Sequence, residues 1–379
     1  MIRLNVNSRT RVNAVNVFIK EGAYTLKSKK YYDITNLLNT KAQYMILLGQ
    51  RANGKSYQAK LTVLTEAYEH DRWFVYLRRY KADIKAKAVE AYFEDMDINA
   101  ITKGEYEGII AWNGVLYFSL HNEKDELVKG KEIGRYCALN EYERYKSWAF
   151  VDYDYIIYEE FITDNTYLVD EPRLLQQFVS TVARHRSITV LLVGNTLSRV
   201  CPYFAEWCLE GVLKQKLGTI EIYHHHFEDS VIDIAVEYCA NANYDNKMFF
   251  GQTAKQIIAG EWDTTDVPKL PRKQSEYENV YELLIEYQKF QFVLNLLVEP
   301  MDGGIITFVY PFTGTRKILR KITEQFSDNP FISARLDLSK RPEFLINECF
   351  RTGKVCYSDN LTGSDFKHVN EVFKIGRLL

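Results

Sequence analysis

Eight consecutive residues, Gly49-Gln50-Arg51-Ala52-Asn53-Gly54-Lys55-Ser56, fit G-x-x-x-x-G-K-[ST] without a gap. Glycine at both ends lets the backbone turn tightly and aim successive N–H groups at a polyphosphate. Lys55 then reaches the β- and γ-phosphates as a mobile charge, the Ser56 hydroxyl holds Mg²⁺, and the phosphates rest on the N-terminus of the following helix. These residues with Tyr57 form the expected nucleotide-binding set, and the ligand is a nucleoside triphosphate, ATP. A second constellation is Glu159-Glu160, at the end of the apolar run Tyr155 to Tyr158. Triphosphate hydrolysis needs one carboxylate to hold Mg²⁺ through water and another to orient or deprotonate the attacking water. Adjacent residues on a strand face opposite ways, so the pair divides these tasks only where the strand is ending and the chain is turning. On that account Glu159 serves the metal and Glu160 the water.

Three further groups carry charge or polarity at informative places. Asn195-Thr196 ends the run Ile188 to Gly194 and is placed to sense the γ-phosphate. Arg184 and Arg186 have two readings: an arginine finger reaching a neighbouring subunit's nucleotide, or a cap at a helix C-terminus that favours positive charge. Arg78, Arg79, Lys81, Lys85 and Lys87 follow the run Trp73 to Leu77. They mark either a solvated helix start or a polyanion contact at the carboxyl end of a strand, where open α/β sheets place ligands.

The elements needed to hold these groups are legible around them. The run Tyr44 to Leu48 reads as a buried strand, and Leu61, Leu64 and Tyr68 repeat at the spacing of an amphipathic helix. A short helix is expected near Asp33, and a β-hairpin at 109–120 with Asn113-Gly114 as its turn. Residues 121–147, charged and carrying Gly130 and Gly134, read as a mobile surface connection. A helix is expected over 228–241.

Composition bounds the remainder. The chain has 379 residues, a hydrophobic content of 46% and a net charge of −2, enough for two cored domains and without the basic excess of a protein that binds nucleic acid by overall charge. Its six cysteines include no C-x-x-C pair, which points to reduced thiols in a cytosol. No apolar stretch approaches the ~20 residues of a membrane span, and the N-terminus lacks the apolar core of a signal peptide. His224 to His226 are neighbours that do not share one face of a strand, so no metal is expected there.

GQRANGKSYQAK, WFVYLRRYKADIKAK, YIIYEEFI, ARHRSITVLLVGNT and VCPYF follow one another in an order and spacing that resembles the DNA-encapsidation ATPases of small short-tailed bacteriophages, over most of residues 40–212. The resemblance implies an α/β fold with an additional-strand P-loop sheet, Lys55 and Ser56 at the phosphates and Mg²⁺, Glu160 as catalytic glutamate, and Arg184 acting across the subunit interface. It also implies a homopentameric ring that drives double-stranded DNA into a preformed capsid. That ring works in the host bacterial cytoplasm, docked on the portal or connector of the procapsid, with a structural packaging RNA in some relatives. One departure stands out: the family pair is Asp-Glu, and Glu159 occupies the position of the Asp.

The expected boundaries are 1–212 for the P-loop ATPase domain, 213–275 for a connecting subdomain and 276–379 for a small RNase H-like domain. In the last, YELLIEY, FQFVLNLLV and GIITFVY read as strands, followed by helices near 316–325, 342–351 and 365–376. FQFVLNLLV, taken as the central first strand, offers Asn295 where a nuclease needs a metal-binding acid, and Glu299, Asp302, Asp337, Asp359 and Asp365 are scattered. No nuclease activity is expected. Arg316, Lys317, Arg320 and Lys321 fall on one side of the expected 316–325 helix, facing nucleic acid, an acidic partner or water. Together these features point to an ATP-driven DNA translocase, with Arg79, Lys81, Lys85 and Lys87 gripping the duplex and Asn195 as sensor. Two rivals stand beside it: a terminase large subunit with an active nuclease, and a non-catalytic assembly protein whose P-loop only binds ATP.

Overall fold

The computed structural model describes residues 14–16, 32–51, 53–163, 166–227, 230–240, 262, 266–325 and 327–377. The chain separates into two units, Met1–Thr196 with Glu206–Glu261 and Leu197–Ala205 with Trp262–Leu379. Among the described residues no helix is long and apolar enough to cross a membrane.

The strands of the first unit are β1 (Ala14–Asn16), β2 (Tyr44–Gly49), β3 (Trp73–Arg78), β4 (Gly108–Trp112), β5 (Val115–His121), β6 (Leu127–Ala138), β7 (Tyr153–Glu159), β8 (Thr189–Asn195), β9 (Thr219–Phe227) and β10 (Ser230–Tyr238). They form one sheet in the order β1-β9-β10-β2-β8-β7-β3-β6-β5-β4. The run from β10 to β6 is parallel throughout. Strand β8 lies between the P-loop strand β2 and the acid-bearing strand β7 and is the additional strand of the expected fold.

Central parallel strands are covered on both faces and therefore read as unbroken apolar runs. The helix Lys55–Glu69 lays Ala59, Val63, Leu64 and Ala67 into a core with Met45, Leu47, Leu191 and Val193. Tyr158, whose neighbour Ile157 belongs to that core, points the other way and donates its hydroxyl to Glu171 at 2.7 Å, at the start of the helix Glu171–Ala183. Each fully buried Leu, Ile or Val contributes about 1.5–3 kcal/mol, so the strand ends that carry the chemistry are held by a stiff sheet. Register places those ends together: Gly49 is level with Asn195, and Glu159 with Val193.

Several expectations are corrected here. Residues 127–138 are not a mobile connection but strand β6, paired with β5 on one side and β3 on the other. Gly134 reads as a flexibility signal, yet it is a close approach: a Cβ there would stand 2.2 Å from the Phe74 carbonyl oxygen. The helix expected over 228–241 is strand β10 over Ser230–Tyr238, where β-branched Val231, Ile232, Ile234 and Val236 suit a pleated surface and the edge of β2 is free to pair. Because β9 and β10 complete the first sheet, residues 219–238 belong to the first unit and not to a connecting subdomain. Leu197–Ala205, expected inside the first domain, belongs to the second, whose core takes Val200.

In the second unit β11 (Glu278–Tyr287), β12 (Phe290–Val298), β13 (Ile305–Pro311), β14 (Lys321–Thr323), β15 (Ile332–Ser333) and β16 (Val355–Tyr357) form a sheet in the order β15-β14-β11-β12-β13-β16. An antiparallel meander β11-β12-β13 is extended by β14 and β15 running parallel to β11, the expected RNase H-like arrangement. The central first strand is β11, so FQFVLNLLV is the second strand, and the acids of the central strand are Glu278, Glu282 and Glu286. The helices Arg341–Arg351 and Asn360–Phe373 bury Ile346, Phe366 and Val369 against the sheet. The helix expected over 316–325 is absent: Lys321–Thr323 is strand β14, drawn into the sheet by β11, and the four basic residues share no helix face.

Candidate nucleotide site

Strand β2 ends at Gly49 with φ 150°, where a Cβ would meet the Asn53 amide at 2.9 Å and the Cys239 carbonyl at 3.1 Å. The loop then turns through Gly54, with φ 94°, into the helix that starts at Lys55. Ala52 lies outside the described residues. Arg51 is exposed and Tyr57 is partly buried. Lys55 is 4% exposed and donates to Gly49 O at 3.2 Å, to Gln50 O, to Asn53 Oδ1 at 3.2 Å and to Asn195 Oδ1 at 3.1 Å. Burial pushes its ammonium down to about 8. The loop holds two further buried donors, the amide nitrogens of Gln50 and Asn53, that have no acceptor. Each such donor costs about 1–3 kcal/mol until one is supplied, and phosphate oxygens are acceptors of the right kind.

Glu159, the last residue of β7, is 6% exposed, and its Oε1 accepts from the Tyr92 hydroxyl at 2.6 Å. Burial pushes its carboxyl up, while hydrogen bonds from Tyr92 and Ser56 and the charges of Lys55 and Arg78 pull it back. A serine hydroxyl beside a buried carboxylate is the oxygen set that Mg²⁺ takes, so the residues fit that ion. Glu160 adopts φ 56° immediately past the strand. The chain therefore turns between the two acids, the condition under which neighbours can serve one site. Glu160 is exposed, and its Oε2 accepts from Arg78 at 2.6 Å.

Arg79 corrects an expectation. Taken as a DNA contact, it is buried instead: its guanidinium clamps Glu171 at 2.7 and 3.0 Å and donates to the carbonyls of Glu160 at 3.1 Å and Phe161 at 2.7 Å. It thereby holds the left-handed turn that aims Glu160. As β3 ends, consecutive residues leave on opposite sides, so Arg78 meets Glu160 from outside while Arg79 enters the interior. Its partner lies 92 residues away, and no sequence pattern links the two. Tyr92 and Glu171 carried no local signal either. Lys81 pairs with Glu141 at 2.7 Å, and among the described residues Lys85 and Lys87 stand exposed without ion pairs.

The two arginines after the helix Glu171–Ala183 differ in their engagement. Arg186 donates to Asp154 at 2.9 Å and to the carbonyls of Phe150, Tyr153 and Val182, the last in the helix's final turn, as a C-terminal cap does. Arg184 is exposed and donates once, to Trp148 O at 2.9 Å. Both precede β8 and lie beside the start of β7, at the amino edge of the parallel strands. At ~3.3 Å per residue that edge is about 20 Å from the P-loop edge, too far for either to reach its own chain's phosphates.

Elsewhere the charged groups are consumed locally. His224 meets Asp233 of the neighbouring strand at 2.7 Å, and among the described residues no three His, Cys, Asp or Glu side chains gather around a metal position. In the second unit Glu282 pairs with Arg316, Glu286 with Lys321, Glu343 with buried Arg320, and Asp365 with Arg199. Asp359 caps the helix Asn360–Phe373.

The chain is similar to known proteins in sequence and in fold. The family model of the Podovirus DNA encapsidation protein (Gp16) matches residues 26–252. The DNA packaging protein of Bacillus phage phi29 is 27% identical over 208 residues, 54% of this chain and 56% of that protein, so the match spans about half the relative's length. That of Bacillus phage B103 is 28% identical over 269 residues, 68% of this chain and 72% of that one. A solved bacteriophage phi-29 viral genome packaging motor assembly superposes over 92% of this chain with a TM-score of 0.55 at 19% identity, a likeness of fold.

Proposed function

The chain belongs to the Podovirus DNA encapsidation protein (Gp16) family, and on that premise we propose that it is an ATP-hydrolysing motor that moves double-stranded viral DNA into a preformed capsid. The observation that carries this reading is the convergence of Lys55, Ser56, Asn195, Glu159 and Glu160 at one carboxyl edge of the sheet. In this reading ATP's phosphates take the place of the carbonyls that Lys55 now holds and satisfy the Gln50 and Asn53 amides. Mg²⁺, held by Ser56 and through water by Glu159, neutralises charge on the phosphates.

Glu160 then orients the attacking water. To do so it must leave Arg78, whose guanidinium occupies one of its oxygens. Asn195, freed from Lys55 as that lysine turns to the phosphates, reports whether a γ-phosphate is present. Arg184 of the next subunit supplies a further cation to the site, which requires a ring and, in this proposal, a homopentamer. The ring docks on the portal of a procapsid in the host cytoplasm, directly or through a structural RNA. Lys81, Lys85 and Lys87 contact the DNA backbone, so grip is indifferent to sequence and weakens with salt.

Steady-state ATPase tests the reading and separates it from that of a passive nucleotide-binding assembly protein. Wild type should turn over ATP, faster with duplex DNA, and Glu160→Gln should lose about 10²–10⁴-fold in rate while still binding ATP, the range for removal of a general base. Absence of turnover in the wild type, or an unaffected Glu160→Gln variant, would reject it.

A further inference from the structure

Glu159 carries one more methylene than an aspartate at its position, hence one more rotatable bond to fix before its carboxylate can hold a metal-bound water. The Tyr92 hydroxyl, at 2.6 Å from Glu159 Oε1, meets the carboxylate from the helix Ala86–Phe93. The tyrosine is itself immobilised on three sides. Its ring stacks on Tyr76 with centroids 4.5 Å apart, the Lys60 ammonium sits 4.6 Å from its centroid, and Lys60 also donates to the Tyr92 carbonyl at 2.7 Å. Asp95 holds Lys60 in turn, so the hydroxyl is presented by a braced ring.

From this geometry we propose that Tyr92 is the positioning residue for the metal carboxylate: it pins one oxygen of Glu159 and thereby sets the carboxylate's orientation toward Ser56. The inference rests on the nucleotide-site reading above. Groups of this kind, which touch a metal's ligand and not the metal, typically change metal affinity 10–100-fold when removed. Tyr92 is not a catalytic residue in this account, and it touches no substrate atom.

The test is Mn²⁺ affinity in the ADP complex, measured on the full chain by electron paramagnetic resonance. Tyr92→Phe, which keeps the ring and its stacking, should weaken Mn²⁺ about 10-fold and leave metal-free ADP binding unchanged. In a Glu159→Asp background, where the shorter carboxylate withdraws from the hydroxyl, the same substitution should cost less than about twofold. Equal Mn²⁺ affinity in wild type and Tyr92→Phe would overturn the proposal, as would an equal loss in both backgrounds or a matching loss of metal-free ADP binding. A wild type that binds no Mn²⁺–ADP at all would remove the nucleotide site and this inference with it, a result distinct from a wild type that binds and a variant that binds as well.

Discussion

At the scale of single residues, Arg78 and Arg79 show how little side-chain type says about role. One is a largely buried partner of the exposed Glu160, and the other is a buried strut for the turn that presents it. Glu171 is fully buried, and Arg79 supplies both of its charge-assisted bonds from a guanidinium. Removing the arginine takes both guanidinium bonds from a buried carboxylate that keeps the Tyr158 hydroxyl and the Leu168 amide, and breaking a buried pair in this way costs about 3–5 kcal/mol. Arg79→Leu should therefore lower the unfolding free energy measured in urea by that amount, and the salt dependence of DNA binding should not change, since the guanidinium faces the interior. The glycine-lysine loop and the acid pair were legible because their chemistry demands residue types at fixed spacing. Tyr92, Glu171 and the fate of Arg79 were not, because each is defined by a partner brought near only by folding.

Among elements, strands β2, β3, β7 and β8 were readable as apolar runs, since a parallel strand covered on both faces has no polar side to show. The misread elements share one cause: their sequences fit two structures, and a neighbour decided between them. In β10 the apolar residues satisfy a helical period as well as a strand, until the free edge of β2 selects the strand. In β6 two glycines suggested a loop, yet Gly134 is what allows the Phe74 carbonyl to approach. The helix Ala86–Phe93 bears on function at this scale. Its first turn follows Lys85 and contains Lys87, and its last turn carries Tyr92 against the Glu159 carboxylate. Neutralising Lys81, Lys85 and Lys87 together should leave DNA-free ATPase within about twofold, because none of the three touches the nucleotide edge, and should remove DNA stimulation and packaging. Packaging that survives the triple change would place the grip elsewhere.

For the whole molecule, the first unit carries the P-loop, Glu159, Glu160 and Asn195. The segment Leu197–Ala205 follows strand β8 directly and belongs to the second unit, whose core takes Val200. Sequence placed that segment and residues 219–238 on the wrong sides of the boundary, because domain membership is decided by long-range pairing that composition does not record. The proposed head-to-tail ring of identical copies would join the amino edge bearing Arg184 to the carboxyl edge of a neighbour, a heterologous interface that closes on itself. The most direct measurement mixes two inactive variants, Glu160→Gln and Arg184→Ala, before ring assembly. Sites pairing an intact Glu160 with an intact Arg184 then reappear at about a quarter of the interfaces under random mixing, and ATPase should recover to that order, whereas a mixture as inactive as its components would contradict a site shared between neighbouring copies.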